Sequence, residues 1–329
     1  MPTSEILARV KSTGRVSADD VIAARRTVYG DDWAIAPHEM EMLFRIDEAA
    51  KSSNPSWSML LCEAGVDFLV HQQAPAGYVD AANADWLVAR ISADGVVKTA
   101  TELELLVKVL EAAKSSPDRL VEFALRQVEL AVVGGEGPLA GDGALEPGRV
   151  NRAEAALVRR ILYAFGGHAG IAITRREAEV LFDINDASAD ADNDPEWTDL
   201  FVKATANCIM AASGYAVPPR EVALAREAWL DSPNAGVGGF FAKMAAGGLR
   251  GIIHAYTAPS EMDWAARNAM KEAGIRVAEV VTEGEAQWLV ERIGRDGGVH
   301  DNEKALLRFI RDEAPEVHPS LAQLVAKAA

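Results

Sequence analysis

The feature that most constrains the fold of this chain is that it repeats itself. Residues 35–57, "IAPHEMEMLFRIDEAAKSSNPSW", and residues 173–197, "ITRREAEVLFDINDASADADNDPEW", share one frame: I-x-x-x-E-x-E-x-L-F-x-I-[DN]-[DE]-A, a gap, then [ND]-P-x-W. Ile35, Glu39, Glu41, Leu43, Phe44, Ile46, Pro55 and Trp57 align with Ile173, Glu177, Glu179, Leu181, Phe182, Ile184, Pro195 and Trp197. Two fainter copies, residues 83–106 and 285–307, align through Trp86 with Trp288, Arg90 with Arg292, and Asp94-Gly95 with Asp296-Gly297. A period of this kind means that one supersecondary unit is written several times and that neighbouring units must bury one another's apolar faces.

The landmarks predict a three-helix unit. Its first helix starts near Ser17, Asp80, Asn151 or Thr282, side chains that accept hydrogen bonds from the free N–H groups of a first turn. Its second helix carries a glutamate, Glu39, Glu102, Glu177 or Glu303; Glu177 can reach back to Thr174 as a capping box, and Glu303, with Asp301, suits a helix start where carboxylates meet the positive dipole end. Its third helix opens on proline at Asn54-Pro55, Ser116-Pro117, Asp194-Pro195 or His318-Pro319, where a missing N–H costs nothing. Leu103, Leu106, Val107 and Leu110 recur at helical spacing, and no alternating strand pattern competes with them. The expected fold is all-α: tandem duplicated three-helix units forming two helical bundles. Units one and two fill residues 1–133, a glycine-rich linker spans 134–149, and units three and four fill 150–329. An insert at 217–280, containing "NAGVGGFFAKMAAGGLRGIIHAY", divides the last two units.

The turn between the first two helices has the Asp-Gly, apolar, then glutamate order of a calcium loop, so its ligand positions decide whether it holds calcium. With Ile35, Val97, Ile173 and Val299 at the eighth position, the first position is Val28, Arg90, Gly166 or Arg292, and the third is Gly30, Ser92, His168 or Gly294. None supplies the carboxylates that such a loop requires. The glutamates are instead expected to hold helix starts.

On Asp94, Gly95, Val97 and Glu102, with Asp296, Gly297, Val299 and Glu303, the chain resembles the tellurite-resistance TerB-like, degenerate EF-hand-like helical family. The first and third units depart from that pattern, having no Asp-Gly. The resemblance implies a helical module of stress-related assemblies, with cation binding open to it, and no defined enzyme.

The acidic run after the third unit's second helix has two readings. Asp183, Asp186, Asp190, Asp192, Asp194, Glu196 and Asp199 follow one another with no base among them. Asp194 suits a helix cap, and Glu196 and Asp199 suit a first turn, where carboxylates meet the positive dipole end. Asp183 and Asp186 lie near a helix C-terminus, where negative charge is unfavourable. Solvent, Arg175 and Arg176, or a calcium or magnesium ion held by Asp183, Asp186, Asp190 and Asp192, would each offset them.

Charge and motifs bound the function. Thirty-three bases against 49 acids leave a net charge of −16, which opposes binding to nucleic acid. No apolar run has the length of a membrane span and no secretory leader is apparent, so a cytoplasmic location is expected. "LAVVGGEGPLAG", residues 130–141, mimics a dinucleotide loop but lacks the helix that should follow. The six histidines are scattered without zinc spacing. The reading that follows is a non-catalytic helical protein with a protein partner. Its alternatives are a divalent-cation binder at the acidic loop and an enzyme with a site between the two halves.

Overall fold

The computed structural model describes residues 3–30, 34–73, 76–139, 147–164, 173–212, 283–293, 295, 298–313 and 318–327. The proposed insert 217–280 and the cap at Thr282 lie outside them. So do Asp296-Gly297, His168 and the middle of the glycine-rich break.

Among the described residues the fold is all-α, and the helices follow the order of the four units read from the sequence. The first unit comprises α2 (Ala18–Val28), α3 (Pro37–Ala49) and α4 (Pro55–Val66), the last extended by one wider turn, Asp67–His71. The second comprises α5 (Ala81–Ile91), α6 (Ala100–Ala112) and α7 (Asp118–Gly134). The third comprises α8 (Arg152–Tyr163), α9 (Arg175–Ala187) and α10 (Pro195–Ala212), and the fourth α11 (Glu283–Ile293), α12 (Asp301–Glu313) and α13 (Pro319–Lys327). The expected caps are in place. Ser17 Oγ, Asp80 Oδ1 and Asn151 Oδ1 accept from the first-turn amides of α2, α5 and α8. Asn54 and Asp194 do the same for α4 and α10, and Ser320 N–H donates to the His318 ring at the start of α13. At Ser116-Pro117 the pattern differs: α7 begins one residue later, at Asp118, with Pro117 itself in the capping position.

A further helix, α1 (Thr3–Thr13), precedes the first repeat landmark and buries Ile6, Leu7 and Val10. Its place follows the packing of the other described helices. The third helix of each unit lies against the second helix of the next: α4 on α6, α7 on α9, α10 on α12. Helix α1 lies on α3 in the same manner. The pairing of α7 with α8 and α9 carries straight across the glycine-rich break, so one apolar cluster runs from Ile6 to Val325. The break separates the halves in sequence and not in their core. At the α4–α6 contact Gly65 faces Leu105 so closely that an added methyl group would overlap it.

Two short strand pairs accompany the turns. Arg15–Val16 runs parallel to Ser52–Ser53. Ser92–Ala93 and Val96–Val97 form an antiparallel hairpin across Asp94-Gly95, both at positive φ (55° and 87°). A two-residue hairpin of this hand favours Asp-Gly, because its twist matches that of the strands. The Asp-Gly that gives the family resemblance is thus a hairpin turn in the second unit.

Candidate functional site

The recurring carboxylates come first, because their geometry decides what they can do. Each accepts a hydrogen bond from the backbone N–H of the residue that precedes its own helix. Ala36 donates to Glu39 at 2.9 Å, Thr99 to Glu102 at 3.1 Å, Thr174 to Glu177 at 2.6 Å and His300 to Glu303 at 2.7 Å. Asp20 and Glu154 do likewise at the starts of α2 and α8. This reach-back satisfies an N–H that the helix itself cannot pair. It also holds the carboxylates at helix ends, where they are not gathered around a common centre.

The loop that resembles a calcium site is braced by a side-chain amide. Ile35 N–H donates to Gln72 Oε1 (3.0 Å), Val97 N–H to Gln127 Oε1 (2.8 Å) and Ile173 N–H to Asn207 Oδ1 (2.9 Å). In each case the donor stands at the eighth loop position, and the amide comes from the unit's third helix or, for Gln72, from the residue just after its wider turn. Gln127, almost wholly buried, also donates to Gly95 C=O at 3.1 Å, clasping both sides of the hairpin. The amides lie 30 to 37 residues from their partners, outside the frame in which the sequence repeats, and reasoning from that frame missed them.

The acidic run separates into distinct groups. Arg292 of α11, with only 4% of its side chain exposed, reaches three carboxylates on one face of α9. It lies 3.1 Å from Glu179, 3.0 Å from Asp186, and in direct contact with Asp183; Arg295 joins Asp183 at 3.1 Å. The guanidinium also lies over the Phe182 ring, 5.1 Å from its centroid, and Phe182 meets Trp288 edge-on at 5.9 Å. The same arrangement holds in the first half. Arg90 lies 3.1 Å from Glu41, 2.7 Å from Glu48 and over Phe44 at 4.6 Å, while Phe44 meets Trp86 edge-on at 6.0 Å. The bond from Arg90 holds the Glu48 carboxyl below its ordinary range.

The charge of Asp183 and Asp186 is therefore offset by Arg292 and Arg295. Arg175 and Arg176, offered for that role by the sequence, are engaged elsewhere: Arg175 lies over Trp288 at 5.1 Å and Arg176 faces Glu122 at 3.7 Å. The visible signal for Arg292 was its alignment with Arg90 one turn after an aligned tryptophan.

Asp190 and Asp192 are exposed and are not drawn into the Arg292 group. Their loop is shaped by Asn193, which accepts from Val150 N–H and donates to Ser188 C=O, both at 2.7 Å. Asp192 contributes its backbone C=O to Arg149. Asp194 caps α10, Glu196 pairs with Arg152 and Asp199 with Lys203. Among the described residues, no three His, Cys, Asp or Glu side chains converge as a metal-binding group. The four residues proposed as ligands are thus divided, two on Arg292 and two in solvent.

Two buried carboxyls meet at the junction of α3, α4 and α6. Trp57 Nε1 donates to Asp47 Oδ1 at 2.8 Å and Thr99 Oγ1 to Asp47 Oδ2 at 3.4 Å. Glu102, wholly buried, stands one helical turn beyond Thr99. The thiols of Cys62 and Cys208 are pushed up to about 12, chiefly by burial, which leaves them protonated and poor nucleophiles.

No family model, curated protein or solved structure matches the chain. Among the described residues, no helix is long and apolar enough to cross a membrane.

Proposed function

We propose that this is a non-catalytic helical repeat protein that binds another protein, in the cytoplasm and in a stress-related setting as the TerB-like resemblance implies. One observation carries the reading. Among the described residues, the buried carboxylates Asp20, Glu154, Glu177 and Glu303 hold helix starts, Asp47 ties Trp57, and Arg292 ties α11 to α9. Chemistry-bearing side chains serve the frame, and a catalytic role needs groups that converge on one reacting atom. The junction between the halves is bridged, with Arg160 of α8 bonded to both Glu104 and Glu111 of α6, and those groups serve that bridge.

The glycines and paired aromatics of the 217–280 insert suit either close helix packing or an exposed docking surface, and its deletion separates the two. Cross-linking and affinity isolation with the tagged full chain, beside a variant lacking 217–280, tests this. The expected result is one protein retained in stoichiometric amount by the full chain and lost from the variant, whose helical circular dichroism persists. A variant that keeps the same partner removes the insert as the docking site. A full chain with no stoichiometric partner removes the function.

A divalent cation at the acidic loop is the second reading, and the exposure of Asp190 and Asp192 favours it. Calcium or magnesium would bind there through oxygen ligands, sharing Asp183 and Asp186 with Arg292. Calorimetry at millimolar calcium should then show heat that disappears in Asp190→Ala/Asp192→Ala, with a metal-dependent rise in melting temperature. Absence of heat from the intact chain ends this reading.

A further inference from the structure

The corner where α3, α4 and α6 meet contains a carboxyl oxygen that no described residue satisfies. Glu102 is 0% exposed. Its Oε2 accepts the Thr99 N–H, and its Oε1 has no hydrogen-bond partner among the described residues. Thr99 Oγ1 accepts from Glu102 N–H at 3.1 Å and donates to Asp47 Oδ2, so one hydroxyl links two buried acids. A bare anionic oxygen in the core is strongly disfavoured, and a second carboxylate beside it adds repulsion.

The second half offers a comparison inside the same molecule. There Asn185 occupies the place of Asp47 and bonds to Asn302, while the Ser58–Thr101 hydroxyl contact of the first half becomes Thr198–Asn302. The first junction thus holds two carboxyls where the second holds one carboxyl and one amide.

We propose that Glu102 carries a proton in the folded chain near neutral pH, and that its ionisation loosens the junction of α3, α4 and α6, making this corner a proton-sensitive joint. The groups around it agree. Helix α3 presents Asp47 and Glu48, α4 presents Cys62 and Trp57, α5 presents Arg90, and Lys98 precedes α6. Both cations are drawn to Glu48, which bonds Arg90 at 2.7 Å and Lys98 at 3.3 Å. Burial, and then the charge of Asp47, push the Glu102 carboxyl up to about 7, against the weaker opposing pull of Thr99 and Lys98. Burial pushes Asp47 up as well.

The sign follows from which state holds the proton. Between the ordinary value of 4.5 and about 7, the folded chain keeps a proton that the unfolded chain has released. The unfolding constant therefore rises about tenfold per pH unit across that window from this group alone, then levels off.

The test uses the full chain. Side-chain carboxyl carbon-13 shifts give the Glu102 midpoint, and urea unfolding between pH 5 and 9 gives the stability slope. Expected are a midpoint near 7, a Glu102→Gln variant whose slope is shallower by one proton, and an Asp47→Asn variant whose Glu102 midpoint moves down. A Glu102 midpoint at the ordinary glutamate value overturns the proposal, as does a wild-type slope in Glu102→Gln. Should Glu102→Gln not fold, the wild-type midpoint and its movement in Asp47→Asn decide alone, and an unmoved midpoint in Asp47→Asn overturns the coupling of the two acids.

Discussion

A guanidinium taken almost wholly out of water beside three carboxylates must be matched by them, and they by it. Arg292 stands in that position against Glu179, Asp183 and Asp186, whose side chains keep 39%, 28% and 24% of their exposure. Removing one partner of such a group leaves like charges facing one another without their counter-ion. Arg292→Leu should cost about 3 kcal/mol of stability in urea unfolding. Part of that loss should return at high salt, because the remaining carboxylates are partly solvated and their repulsion is screened. Adding Glu179→Gln, Asp183→Asn and Asp186→Asn should restore most of the rest. A loss that salt and neutralisation leave unchanged would mean that the guanidinium acts through packing on Phe182 and not through charge.

At the scale of elements, most of the described helix starts are closed by residues within four positions of one another, and three of the loops are closed by an amide far away in the chain. Caps such as Thr174 with Glu177 are therefore legible in sequence, since both partners sit in one short window. The Gln127 clasp is not legible in that way, because only the return of α7 beside the hairpin brings it to Val97. Gln127→Ala should cost about 1–3 kcal/mol, the usual consequence of leaving a buried backbone N–H unpartnered. Amide exchange at Val97 should accelerate with it, measured by hydrogen–deuterium exchange. Unchanged protection at Val97 would show that the hairpin holds without the clasp. The helix α1 was missed for a related reason: it lies ahead of the first repeat, and its role comes from packing on α3.

For the whole molecule, the question is whether two halves fold separately. The sequence has a glycine-rich break and reads as two bundles. The packing of α7 on α8 and α9, with Arg160 bridging to α6, makes the interface between the halves part of the core. An array in which each unit buries its neighbour's face gains little from a chain connection at any single point. A protease site engineered at residues 140–146 and cut should leave two fragments that co-elute and melt in one transition by calorimetry. Fragments that separate, or two resolved transitions, would mean independently stable halves.

By itself, the sequence determined that the chain is all-α, where most of its described helices begin, and that the recurring glutamates belong to helix ends. These properties depend on propensity, apolar spacing and hydrogen bonds between near neighbours, all of which a short window of residues contains. Only the tertiary structure decided that Arg292 engages Asp183 and Asp186, that amides brace the loops, that Glu102 shares a corner with Asp47, and that the array runs unbroken across the glycine-rich segment. Those partners are distant along the chain, and charge or hydrogen-bonding capacity does not specify its partner until packing has fixed which surfaces meet.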